Sequence, residues 1–237
     1  MKTGIITAAV LTAVSASVAS ADLVNVKFIG TGKGTNVKMT YGAKTQDVFA
    51  GQLIHQLSNA TAPFDVLNGT KITFCTDMLQ YVSKNTTQYE FVDVPAMPGA
   101  APMGVEKAAA IHDIFDGAAG VQLTGTVSND YAAAFQLAVW EIIADYNPTM
   151  SFNGVNITGG VFKATKTNGS SLSNGVLNAF NTIMGYIGQV HSHDAQILGI
   201  TSGSAQDQLV EGRSVPAPGA ALLASMGLGL IARRRAR

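Results

Sequence analysis

Of the side chains able to do chemistry, the most isolated is Cys75, the only cysteine among 237 residues. It has no partner for an internal disulfide, which leaves an inert buried thiol, an intermolecular bridge or a nucleophile. Free cysteine is among the most buried residue types. A second anomaly is Gln136, set in Tyr131-Ala132-Ala133-Ala134-Phe135-Gln136-Leu137-Ala138-Val139-Trp140-Glu141-Ile142-Ile143. That run is apolar nearly all round and reads as a buried helix. A carboxamide stranded there without partners costs about 1–3 kcal/mol, so Gln136 needs a role. Trp140 lies one turn on and covers the same face against water. A bond between Cys75 and Gln136 would account for both anomalies at once. Two competing sites are weaker. His191 and His193 with Asp194 could hold a metal on one strand face, but zinc needs further ligands, so a solvated loop is expected and no metal is assigned. A Cys75–His112 hydrolase would need an orienting group and an oxyanion hole that no motif signals.

The elements that position these residues fall into a β-rich part and a helical part. Strand-like runs at 23–29, 36–41 and 47–49 are bounded by Gly30, Gly32, Gly34, Gly42 and Gly51, the punctuation of hairpins. Further strands are expected at 71–78 after Asn68-Gly69 and at 88–94, with a proline-rich loop at 95–102 closing the β portion. On the strand 71–78 side chains alternate: Ile72 and Phe74 on one face, Thr73, Cys75 and Asp77 on the other. With Phe74 turned to the sheet core, Cys75 looks toward whatever packs outside. Helices are predicted at 105–115, at 131–145 with Asn129 or Asp130 as cap, and at 175–187. Strands return at 196–201 and 206–210. The expected class is α+β: a β-sandwich or barrel built from 22–94 and 196–210, with a small helical subdomain inserted at 105–187, all in one domain spanning 22–211.

Phe74-Cys75-Thr76-Asp77 and Gln136-Leu137-Ala138-Val139-Trp140 together resemble the paired signatures of the bacterial Cys-Gln thioester domain, found in surface adhesins. The resemblance implies an internal thioester between Cys75 and Gln136 that captures amines on a target protein or polysaccharide, with Phe74, Asp77, Phe135 and Trp140 supporting it. Phe135 stands where the adhesins usually carry threonine, and the Cys75-to-Gln136 separation is shorter than in an adhesin. Chemically, a thiolate must attack an unactivated amide and expel ammonia, which demands pre-positioning. The product survives only where water is excluded, a role for Phe135 and Trp140. Asp77 either orients the thiol or bonds a turn. No cofactor is implied. The alternative keeps the fold without the bond, as a structural matrix protein with an inert thiol. A thiol hydrolase ranks last, and the chain is read as no enzyme.

Both ends read as targeting segments. Lys2, an apolar stretch from Ile5 to Val18 and Ala19-Ser20-Ala21 form a signal peptide cleaved after Ala21 by signal peptidase. At the other end Val215-Pro216-Ala217-Pro218 precedes an uncharged run to Ala232 and then Arg233, Arg234, Arg235 and Arg237. This order predicts a C-terminal membrane helix with cytoplasmic arginines. It resembles the PEP-CTERM sorting signal, read by a sorting transpeptidase, with alanine at 217 in place of the usual glutamate. The expectation is therefore an exported protein of the cell surface or extracellular matrix, anchored at least transiently in the inner membrane. Setting aside Lys2 and the four terminal arginines leaves ten basic against fifteen acidic residues, a net charge of about −5. Such a balance excludes a basic face for nucleic acid.

Overall fold

The computed structural model describes residues 22–119, 123, 127–150, 154–189 and 196–212. The cleavage site at Ala21, the His191, His193 and Asp194 group, and the sorting residues Val215, Pro216, Ala217, Pro218, Arg233, Arg234 and Arg235 with their membrane helix lie outside the described residues. Among the described residues no helix is long and apolar enough to cross a membrane.

The described residues form a mostly antiparallel sheet with three α-helices. Two long strands begin it, β1 (Leu23–Tyr41) and β2 (Lys44–Ser58). Sequence pattern alone divides this stretch into three short strands at its glycines. Instead, the glycines sit inside the ladder, where register shifts between Phe28 and Gly30 and between Thr31 and Gly34 mark bulges. Gly34 and Gly51 face each other at φ of 152° and 148°. A Cβ at Gly34 would strike the Ala50 carbonyl, and one at Gly51 the Lys33 carbonyl. Glycine is thus what lets two continuous strands bend together.

Three strands continue the sheet from β2: β3 (Gly69–Cys75), β7 (Ala205–Glu211) and β6 (Ile197–Ser202). β4 (Thr87–Val92) then pairs with Leu23–Val26 of β1, while β1 also pairs with β2, so six strands close on themselves. The late hairpin β6–β7 therefore bridges strands laid down early. Val24, Val26, Leu57, Tyr89, Phe91, Ile200 and Val210 fill the ring as one apolar cluster. The far halves of β1 and β2 run beyond the ring, and β5 (Phe162–Lys166) adds to β1 there. β5 falls in the segment expected to be helical. Its signal was five residues long, with only Phe162 and Ala164 buried between lysines.

Of the helices α1 (Gly104–Ala118), α2 (Asn129–Asp145) and α3 (Asn174–Met184), α2 packs on this extension and the other two pack on α2. α2 touches α1, α3, β1, β2, β3 and β5, which is why Ala132 through Ile143 are all buried. Its cap is Ser128, one residue before the predicted pair; the hydroxyl accepts the Tyr131 N–H at 3.2 Å.

Candidate functional site

The site lies where the last residue of β3 meets the middle of α2. β2 stops pairing with β3 at Thr73, so the Cys75 N–H and C=O, which point to that side of the ladder, lose their strand partner. Gln136 takes its place. Its Oε1 accepts the Cys75 N–H at 2.9 Å and its Nε2 donates to the Cys75 carbonyl at 2.8 Å. Each polar atom of the stranded carboxamide thus has a partner, and both residues are almost wholly buried.

The alternation along β3 holds, but its sense is opposite to the reading from sequence. Val210, the neighbour of Thr73, belongs to the ring interior, whereas Leu209, the neighbour of Phe74, belongs to the helical core. Phe74 consequently faces the helices, its ring 4.9 Å from Phe135 and 6.1 Å from Phe115. Phe135 and Phe115 meet edge-on at 4.8 Å, completing an aromatic triad. By alternation Cys75 leaves the strand on the other side, at the end of the ring, yet it packs into the same helix-covered core as Phe74. There it borders a cavity of about 250 Å³ walled chiefly by Phe28, Met39, Phe49, Met78 and Trp140, with exposed Tyr81 and Asp47 also lining it. Trp140, its ring 6.0 Å from that of Phe162, lines this cavity, and Phe135 does not.

The Cys75 thiol donates to the Asp77 carbonyl at 3.1 Å. The Asp77 carboxylate accepts the Leu79 N–H at 2.8 Å, so its observed side-chain bond is that of a turn. Burial pushes the thiol pKa far up; the Trp140 indole N–H and a main-chain bond at Asp77 oppose this, and the carboxylates of Asp77 and Asp207 reinforce it. The sulfur is accordingly a neutral thiol at pH 7. His112, on α1, is not among the residues lining the cavity. Among the described residues no three His, Cys, Asp or Glu side chains gather as a metal group.

A polar chain beside the thiol was not anticipated. The Thr73 hydroxyl donates to Gln208 Oε1 at 3.2 Å, and lies 2.9 Å from His55 Nδ1, from which it then accepts. Gln208 Nε2 reaches the Gln206 carbonyl at 3.2 Å, and Gln206 Nε2 donates to the Asp77 carbonyl at 3.2 Å. Burial lowers the His55 pKa to about 4, so the ring is neutral. The only sequence signal was the pair of glutamines at 206 and 208 in an otherwise buried strand.

No family model, curated protein or solved structure matches the chain.

Proposed function

We propose that the protein is an exported surface or extracellular-matrix component in which Cys75 and Gln136 form an internal thioester that captures amines. The observation that carries this reading is the reciprocal pair of hydrogen bonds holding the Gln136 carboxamide against Cys75. The α+β fold, a mostly antiparallel sheet with helices packed on it, supports this reading.

The arrangement favours acyl chemistry in three ways. The Cys75 N–H already binds the Gln136 oxygen on which negative charge develops when sulfur attacks the amide carbon. The carboxamide is immobilised on the main chain of the residue that carries the nucleophile, which lowers the entropic cost of attack. A buried sulfur that resists ionisation is also relieved by acylation, since the thioester carries no ionisable group. In the balanced step the Cδ–N bond breaks, the C–S bond forms, and the thiol proton leaves with the amide nitrogen as ammonia. Capture then adds an amine through the cavity, giving a substituted amide at Gln136 and a free Cys75 thiol. The amine-bearing target would be a protein or polysaccharide of the surroundings. Export and membrane sorting rest on the terminal sequences described above.

One observation favours the second reading, a non-covalent matrix protein: both polar atoms of Gln136 are satisfied without any bond. Labelling with a fluorescent primary amine separates the two. Wild-type protein should become covalently labelled at Gln136, and Cys75→Ser and Gln136→Ala should not. A wild type that stays unlabelled would leave the second reading standing.

A further inference from the structure

The surroundings of Cys75 pose a problem for capture that the thioester reading leaves open. When an amine opens the bond, the electron pair of the C–S bond must go to sulfur, yet burial and the carboxylates of Asp77 and Asp207 all oppose charge there. Two groups favour charge on the sulfur, the Trp140 indole N–H and the Asp77 main chain, with Trp140 the stronger. Trp140 is 3% exposed, and its Nε1–H is a buried donor with no hydrogen-bond partner. It stands one helical turn from Gln136 and lines the same cavity as Cys75. A buried N–H without an acceptor costs free energy in the resting state. It forms no bond of ordinary geometry with the thiol, but lies near enough to the sulfur to favour its charged form.

We infer that the Trp140 indole N–H is the donor that holds the departing Cys75 sulfur when an amine opens the thioester, making Trp140 a catalytic residue as well as a lid. This rests on the thioester reading. The amine nitrogen attacks Gln136 Cδ, and the oxyanion on Oε1 is held by the Cys75 N–H. The C–S bond breaks with its electron pair on sulfur. The indole donates a hydrogen bond without giving up its proton, and the surplus proton of the amine ends on sulfur as the thiol. The division of labour is thus one main-chain N–H for the oxyanion and one side-chain N–H for the leaving group.

The two roles of Trp140 predict opposite signs. Phenylalanine is smaller, so a residue that only seals the site would, on Trp140→Phe, admit amines faster. Loss of the donor slows cleavage instead. The test is the rate at which methylamine is incorporated into purified full-length Trp140→Phe, followed by intact mass, and the expected change is about 10- to 100-fold slower than wild type. An equal or faster rate overturns the inference. If the wild type carries no bond, the function proposed above fails, and the donor role is read separately in a Gln136→Ala background, where Cys75 is a free thiol in any case. There, alkylation by iodoacetamide at pH 9 should run about tenfold slower with Trp140→Phe than without it; an equal or faster rate overturns the inference independently. Because the chain holds a single tryptophan, 5-fluorotryptophan can replace it should Trp140→Phe fail to fold. That ring has nearly the same shape and a more acidic N–H. Capture or alkylation should then be faster than with ordinary tryptophan, and an unchanged or slower rate overturns the assignment.

Discussion

Glu141 offers a quantitative test of the packing around α2 that does not depend on any bond at Cys75. It follows Trp140 on the helix and is wholly buried; Oε1 accepts the Asn156 N–H at 2.6 Å, and Oε2 has no partner. Burial raises its pKa from the ordinary 4.5 to about 7, opposed by the Asn156 bond and assisted by the Asp145 carboxylate. A shift of roughly 2.5 units corresponds to about 3 kcal/mol, at about 1.36 kcal/mol per unit. The sign follows from which state releases its proton first. The unfolded chain ionises near pH 4.5 while the folded chain stays protonated. The stabilising contribution is therefore complete below pH 4.5, declines as pH rises, and is gone above about 7. Glu141→Gln keeps an acceptor for Asn156 and cannot ionise. Urea unfolding at intervals from pH 4 to 8 should show the variant gaining on wild type by about 3 kcal/mol across this window, with a level difference on either side. Taking the difference removes the raised Asp207, which bends both curves alike. Parallel curves for the two proteins would refute the argument that Glu141 is buried and protonated.

Three further outcomes follow. Gln136→Ala strips the Cys75 N–H and C=O of their partners, and two orphaned buried groups should lower stability by roughly 2–5 kcal/mol in chemical denaturation, beyond any loss of amine capture. Gly34→Ala forces a methyl onto the Ala50 carbonyl at a φ of 152°, so the melting temperature should fall by many degrees, whereas Gly30→Ala, with open space around it, should change it little. Truncation after Ser214 should release soluble protein into the medium or periplasm; continued recovery in the membrane fraction would show that the C-terminal sequence is no anchor.

What was legible in the sequence was what a single period reveals. α2 was plain because twelve consecutive buried residues leave no other reading, and its cap slipped by one residue because Ser128, Asn129 and Asp130 all suit the position. β1 and β2 were cut too short because a glycine that ends a strand and one that bends it look alike without the opposing strand. β5 was missed because its buried side chains number two, and its strand character comes from the β1 edge it joins. Cys75 and Gln136 stood out as anomalies of composition. Which way Cys75 faced did not, since alternation fixes two faces but not which of them is the interior. The His55, Thr73 and Gln208 chain joins three strands and has no local pattern to betray it.

The measurement that bears most directly on the central proposal is the intact mass of the protein purified without added amines. A Cys75–Gln136 thioester makes the chain lighter than its processed sequence by one ammonia, and treatment with methylamine should restore that mass plus one methylene, with Cys75 newly open to alkylation. A chain at full sequence mass, unchanged by methylamine, would contradict it.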